Sequence, residues 1–175
     1  MMTDIEVEFA HAKANGWLPM FAEAGSSFGF TAALLMAIAS RETNMKNIVG
    51  DGGHGYGLMQ IDVRSYPDFC HSGAWKNVEA EIHMGASVLS SKQVQIQKSQ
   101  GVQLHISSSS FVGKKLTDGE LNQCAVAAYN AGLWAYYGIT VHGNPDLYTT
   151  AHNYSSDVIS RMRQFSKLLT PSASG

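Results

Sequence analysis

The residues best suited to chemistry begin with Arg41 and Glu42. This pair follows the longest apolar run, Ala32 to Ala39, and precedes a glycine-rich segment. The negative end of a helix dipole and partial burial both favour the protonated form of a glutamate placed there. A carboxyl group that keeps its proton near neutral pH can act as a general acid. The alternative is that Glu42 ends a helix and pairs with Arg41 or Lys46, which contributes little energy.

Two further acids, Asp51 and Asp62, flank the segment GGHGYGLMQI. Glycines around Asp51 allow positive φ or a close approach of the backbone to a ligand, and a short ribbon would present Gln60 and Asp62 on one side. This ribbon would build a cleft wall opposite Glu42. Inverting glycosidases hold an acid and a base carboxylate about 6.5 to 9.5 Å apart, which admits a water. A glycine-rich surface hairpin with solvated acids is the competing interpretation.

The elements that position these acids are predicted to be mostly helical, because apolar residues recur at three- and four-residue steps. Thr31 is predicted to cap the helix through TAALLMAIASRE, which carries Glu42. Glycines followed by LMQIDV predict a small β-ribbon over residues 50–66. We therefore expect a mostly α (α+β) domain with a small β-ribbon beside an active-site cleft.

The remaining segments are predicted from caps, periodicity and turn residues. Helices are expected from Asp4 to before Gly16, from Pro19 to Ala24 with Gly25 closing it, from Val78 to about Lys98, from a Thr117 capping box to Ala131, and from Thr149 to Leu169, with a mobile loop at Ser107 to Ser110.

The composition describes one globular domain over residues 1–175, with 1–30 as an N-terminal helical extension and 171–175 as a frayed tail. A hydrophobic fraction of 45% excludes disorder for most of the chain, and a formal charge of −2 argues against nucleic acid or an anionic membrane as partner. The N-terminus carries Asp4, Glu6 and Glu8 where a signal peptide needs positive charge, so the chain as given is expected to lack an export signal.

Other chemistries have weaker support. Cys70 or Cys124 with a histidine could form a hydrolase dyad, but Cys124 lies in apolar helical company and Cys70 has no nucleophile context. The histidines show no paired-ligand spacing, and the glycine-rich segment lacks a phosphate-binding signature. We therefore expect no metal and no cofactor.

Four segments together resemble the goose-type lysozymes, in order and with similar spacing: AIASRETN, GDGGHGYGLMQIDVRSY, AVAAYNAG and AHNYSSDVISR. The resemblance extends roughly from Thr31 to Phe165. Short pieces such as GLMQ and AYNAG also occur in the related soluble lytic transglycosylases. The resemblance implies a lysozyme-like fold and a peptidoglycan substrate.

By this resemblance, Glu42 is the general acid, and Asp51 and Asp62 position or deprotonate the attacking water. Lytic transglycosylases use the substrate's own 6-hydroxyl instead of water, and Asp62 favours hydrolysis because it stands where their sequences continue differently. The resemblance also implies a saccharide-binding set: Gln60, His83, Tyr129, Asn130 and Tyr154. Alternatives without a saccharide contact stay open for three of these residues. Tyr129 could pack in the core, His83 could be an ordinary core or surface histidine, and Gln60 could satisfy backbone groups of the ribbon.

The expected function is hydrolysis of the β-1,4 bond between N-acetylmuramic acid and N-acetylglucosamine, by single displacement with inversion. The alternatives are a lytic transglycosylase that gives 1,6-anhydro products and a non-catalytic peptidoglycan-binding module. The expected partners are peptidoglycan glycan strands and, as a further candidate, a proteinaceous lysozyme inhibitor. We expect a monomer that acts outside the cytoplasm on the cell wall.

Overall fold

The fold, seen in a computed structural model that describes residues 1–170, consists mainly of α-helices with two small antiparallel sheets. This confirms the predicted mostly α class. The helices are α1 Asp4–Ala14, α2 Leu18–Phe28, α3 Ala32–Thr43, α4 Pro67–His71, α5 Val78–Ser99, α6 Asp118–Ala131, α7 Leu133–His142 and α8 Tyr154–Leu169, and the strands are β1 Val49–Gly50, β2 Gly55–Tyr56, β3 Ile61–Asp62, β4 Gln103–Ile106 and β5 Ser109–Val112.

The chain divides into two compact units. Unit 1 contains Met1–Ala86 and the segment from Val158 onward, and unit 2 contains Ser87–Asp157. The single domain over 1–175, with 1–30 as an extension, stays a prediction. The frayed tail predicted at 171–175 lies outside the described residues.

Two of the first three helices of unit 1, α1 and α3, begin at threonines that cap them. Thr3 and Glu6 form a capping box at α1, and the Thr31 hydroxyl accepts the Leu34 amide at the start of α3, as predicted. α3 is almost entirely buried from Ala33 to Ser40, apart from Leu34. It is therefore the central helix of this unit.

Helix α2 is longer than predicted. It continues through Gly25 to Phe28 and ends at Gly29, which is left-handed with φ 79°. Gly25 is buried, and a Cβ added there would overlap the carbonyl oxygen of Phe30. The glycine therefore allows a close approach of the backbone that enters α3, and it does not end the helix.

The predicted ribbon of unit 1 is a three-stranded antiparallel sheet in the order β1-β2-β3, with strands of two residues each. Val49 pairs with Tyr56, and Tyr56 pairs with Ile61. Sheets this small are not stable alone. Contacts from outside the sheet must hold it.

Unit 2 contains a hairpin and two helices in close succession. Ser107 occupies the hairpin turn with φ 51°, while Ser109 and Ser110 belong to β5, so only the first half of the predicted loop is a turn. The capping box at Thr117 and the end of α6 before Gly132 are as predicted. Helix α7 was not predicted, because its aromatic and β-branched residues have low helix propensity.

The last helix, α8, begins at Tyr154 and not at Thr149 as predicted. A 3₁₀ turn, Thr150–His152, precedes it, and Ala151 and His152 have φ of 57° and 54°. This backbone cannot continue an α-helix.

Among residues 1–170, no single helix has both the length and the apolarity to cross a bilayer. The pair α2 and α3 passes the same test only together, with a bend of 114° between them.

Candidate active site

Glu42 lies in the last turn of α3 and is partly buried. The helix ends there because Asn44 and Met45 both have positive φ, at 51° and 60°. Glu42 therefore belongs to the C-terminal turn of α3, at the negative end of the helix dipole. This is the position that the sequence predicted.

Thr43, the residue after Glu42, connects α3 to the GLMQ segment. Its buried hydroxyl donates to the carbonyl oxygen of Leu58 at 2.8 Å, lies 3.1 Å from that of Ala39, and accepts the Lys46 amide at 3.1 Å. A buried hydroxyl with these partners fixes its backbone. The end of α3 is thereby tied to the turn that leads into β3.

We call residues 57–60 the central turn. Leu58 and Met59 are fully buried, and Gly57 has φ 81°. Each of the four backbone N–H groups of the turn has an acceptor, which satisfies the buried main chain. In chain order the acceptors are the Ile48 carbonyl at 2.9 Å, Asn47 Oδ1 at 2.8 Å, Glu81 Oε1 at 3.0 Å and the Gly57 carbonyl at 3.2 Å.

The two aspartates lie on the small sheet. Gly50, Gly55 and Asp62 form one row across its three strands, and Asp51 follows Gly50 at the tip of the ribbon. Two strand spacings separate the ends of this row by about 10 Å. Asp51 is exposed with φ 50°, and Asp62 is partly buried. The sheet therefore brings both acids to the same end of the ribbon.

Asp62 is held in its ionised form. Its Oδ1 accepts from Arg64 Nε at 2.9 Å and its Oδ2 from Ser65 Oγ at 3.0 Å. Burial would raise the pKa of Asp62, but these hydrogen bonds outweigh burial and lower the pKa below its usual 3.8. Asp51 also acts electrostatically on the Arg64 guanidinium. Arg64 therefore lies within the influence of both carboxylates, and the sequence analysis did not single it out.

Gln60 lies on the ribbon with its amide group engaged by main chain. Its Nε2 donates to the carbonyl oxygens of Gly57 at 2.9 Å and Ile48 at 3.1 Å. A Cβ added at Gly50 would lie 2.7 Å from Gln60 Oε1, and one at Gly55 would overlap the same oxygen. Both glycines thus leave room for this side chain. The ribbon role left open for Gln60 is present, and saccharide binding stays a prediction.

His83 is exposed on α5 of unit 1, and its ring packs edge-on against Phe28 with centroids 4.9 Å apart. The ring therefore has a packing partner on α2. Its predicted saccharide contact stays a prediction.

The other predicted binding residues belong to unit 2. Asn130 is exposed, accepts the Thr150 amide at 2.9 Å and donates to the Thr150 hydroxyl at 3.2 Å, so it supports the 3₁₀ turn before α8. Tyr129 is half-buried at the end of α6. Tyr154 is only 2% exposed, which is typical of a core side chain. Saccharide contacts of these three residues stay predictions.

The sequence model of the family described as Lysozyme g matches residues 10–168 of this chain. The chain belongs to the lysozyme g family. Glu42, both aspartates and every predicted binding residue fall within the matched range.

Individual relatives agree with the family match. Lysozyme G of Dromaius novaehollandiae is 30% identical over 137 residues, which are 76% of this chain and 57% of the relative. Lysozyme g of Cyprinus carpio is 28% identical over 158 residues, 88% of this chain and 75% of the relative. Lysozyme g of Gallus gallus is 28% identical over 155 residues, 86% of this chain and 64% of the relative. The chain thus spans between 57% and 75% of the length of these relatives.

In this member of the lysozyme g family, two buried acids near the candidate site were not predicted to belong to it. Glu81 holds the central turn, and Glu8 of α1 forms a hydrogen bond with Ser40, two residues before Glu42. Burial raises the pKa of Glu8, although Ser40 and Arg161 oppose the shift. The one sequence signal for Glu81 is its helical spacing of four and seven residues from Gly85 and Val88, which are buried.

No group of three or more histidine, cysteine, aspartate or glutamate side chains lies where it could hold a metal ion within the part of the chain that the structure describes. Cys70 and Cys124 are buried free thiols. Burial raises the pKa of Cys124 to about 12, which leaves it a thiol at neutral pH.

Proposed function

We propose that the chain is a muramidase that hydrolyses the β-1,4 bond between N-acetylmuramic acid and N-acetylglucosamine in peptidoglycan. The observation that carries the proposal is the link from the end of α3 to the central turn. Through Thr43 and Leu58 it couples the element of Glu42 to the strand of Asp62. The match to the lysozyme g family over residues 10–168 supports the reaction class.

In this mechanism Glu42 donates a proton to the glycosidic oxygen. Its place at the C-terminal end of α3, with partial burial, favours the protonated carboxyl that this step requires. Protonation makes the departing sugar hydroxyl a better leaving group, and the bond breaks through an oxocarbenium-like transition state.

Asp51 and Asp62 direct a water to the opposite face of the sugar, which inverts the anomeric centre. The low pKa of Asp62 keeps it ionised over the working pH range, as a group that orients or accepts from water must be. Arg64 holds Asp62 in position from the solvent side. We assign the positioning and deprotonation of this water to the two aspartates jointly.

By the resemblance, glycan contacts are assigned to Gln60 and His83 in unit 1 and, separately, to Tyr129, Asn130 and Tyr154 in unit 2. The chain acts outside the cytoplasm on cell walls as a monomer and needs no cofactor, and a proteinaceous lysozyme inhibitor is a further candidate partner. An antimicrobial, bacteriolytic role follows from this activity.

Purified peptidoglycan, digested with the wild-type chain, Glu42→Gln and Glu23→Gln, tests the proposal. Glu23 is exposed on α2, so Glu23→Gln matches the charge change away from the site. We expect reducing-end muropeptides from the wild type and from Glu23→Gln, and about 10²- to 10⁴-fold less product from Glu42→Gln, because general acid catalysis contributes that factor. Mass spectrometry identifies the ends, and NMR of the first-formed anomer reports inversion.

The outcomes separate the candidate functions. Products with 1,6-anhydro ends would make the chain a lytic transglycosylase. Retained wall binding without any product would make it a binding module. Equal product from Glu42→Gln and the wild type would remove Glu42 from the mechanism.

A further inference from the structure

Glu81 is a fully buried acid that the mechanism does not use. It lies in the first turn of α5 with 0% of its surface exposed. Its Oε1 accepts the Met59 amide at 3.0 Å. Within residues 1–170, Oε2 has no hydrogen-bond partner. An uncompensated buried carboxyl group is costly, so its presence calls for a reason.

The central turn is shaped around this carboxyl group. Gly57 has φ 81°, and a Cβ added there would overlap the Glu81 carboxyl. Gly85, one helical turn further along α5, packs directly against the Met59 side chain, because a Cβ at Gly85 would overlap the thioether sulfur. Two glycines thus allow α5 and the central turn to approach each other closely.

Met59, whose amide donates to Glu81, lies between two residues that connect to the candidate catalytic acids. Leu58 precedes it and accepts from Thr43, which follows Glu42. Gln60 follows it with φ 53° and leads into β3, which carries Asp62 two residues later. A loss of the Met59 anchor would therefore shift the acid of α3 relative to the acids of the sheet.

We propose that Glu81 is a positioning residue: its carboxyl group fixes the Met59 amide and thereby sets the placement of Asp62 and Gln60 relative to Glu42. This proposal rests on the proposed function for its catalytic consequence. It assigns Glu81 no contact with the substrate.

The raised pKa of Glu81 is consistent with a neutral carboxyl group that accepts the Met59 amide. Burial raises the pKa of Glu81 to about 8, although the Met59 hydrogen bond opposes the shift. The titratable group facing it from α4 is Cys70, and burial raises the pKa of that thiol, with Glu81 and then Asp62 adding to the shift. At pH 6 to 7 both groups are therefore uncharged, and the turn is held without a buried charge.

Two substitutions separate positioning from folding. Glu81→Gln keeps an amide oxygen that can accept from Met59, whereas Glu81→Met fills a similar volume without an acceptor. Glu79→Gln is the matched control, because Glu79 is exposed on the same turn of α5. Each variant is assayed at pH 6.5 and well below its unfolding temperature, on soluble peptidoglycan fragments, and Met59 amide hydrogen exchange is followed by NMR.

We expect Glu81→Met to lower kcat about 10- to 100-fold with a smaller change in KM, since a misplacement near 1 Å costs this much. We also expect faster exchange at Met59 with unchanged protection in α6. Glu81→Gln should restore kcat to within a few-fold of Glu79→Gln and the wild type. A purely structural role would change the unfolding temperature of both variants and leave kcat per folded molecule unchanged, which would overturn the proposal.

The exchange measurement also works without activity. If the wild-type chain releases no product, the proposed function is wrong. If Met59 amide exchange is unchanged in Glu81→Met, the positioning role is wrong, whatever the activity. The two failures are therefore distinguishable.

Discussion

The buried carboxyl of Glu81 makes the stability of the chain depend on pH. Its pKa is raised by burial from the usual 4.5 to about 8. Between these values the unfolded chain releases the proton that the folded chain keeps. The folded state therefore binds more protons, and the free energy of unfolding falls as pH rises through this range. The contribution of Glu81 is fully present below pH 4.5 and is lost as pH rises through about 8.

The size of the effect follows from the span of about 3.5 pH units. At 1.36 kcal/mol per unit it amounts to about 5 kcal/mol for a group with no exposed surface. Glu81→Gln has no proton to release. Because the carboxyl group is half ionised in the unfolded chain at pH 4.5 and half ionised in the folded chain at pH 8, this interval covers most but not all of the effect. The difference in unfolding free energy between Glu81→Gln and the wild type should therefore shift by about 4 kcal/mol in favour of the variant from pH 4.5 to pH 8.

Urea unfolding at pH 4.5, 5.5, 6.5 and 8, followed by circular dichroism, measures this difference. Glu79→Gln should show no such trend, because Glu79 is exposed. Glu8, whose pKa burial also raises, contributes a slope to both chains and cancels in the comparison. A constant difference between Glu81→Gln and the wild type at all four pH values would refute the reasoning, since it would mean that Glu81 ionises alike in both states.

Three further predictions concern the Thr43 hydroxyl, two glycines of the ribbon and the net charge of the chain. Thr43→Val should lower the unfolding free energy by about 1 to 3 kcal/mol and reduce kcat, because the Leu58 carbonyl and the Lys46 amide lose a buried partner; unchanged urea unfolding would contradict this. Gly57→Ala should destabilise more than Gly52→Ala in thermal unfolding, because both glycines have positive φ but only Gly57 faces a buried side chain; equal losses would show that strain alone matters. Activity on intact bacteria should rise at mildly acidic pH, because protonation of all seven histidines takes the formal charge from −2 to +5; the same pH optimum on soluble fragments would contradict the charge explanation.

The predictable part of the fold is local. Thr31 and Thr117 cap their helices as predicted, because each signature depends on residues within one turn. Helix α7 and the full length of α2 depend on tertiary packing, which overrides propensity and lets Gly25 stay inside a helix.

The same distinction applies to the site. Glu42, Asp51 and Asp62 were predicted because their types, their glycine-rich surroundings and a family resemblance mark them, and their catalytic roles stay predictions. Thr43 and Glu81 were missed because their partners lie 15 and 22 residues away in sequence. A hydroxyl or carboxyl group gains its role from such a contact, and no local pattern encodes it.

The two-residue strands of the small sheet divide its ribbon into parts with unequal tolerance to insertions and deletions. The tip from Asp51 to His54 is exposed, and nothing would obstruct a side chain at Gly52 or Gly53. Exposed tips accept added residues readily, so descendants of this chain can vary the reach of Asp51 while the fold persists. One residue inserted into the central turn would instead turn Asp62 to the opposite face of the sheet. We therefore expect this segment to tolerate changes in length at its tip, where the outer aspartate lies, and not in the central turn.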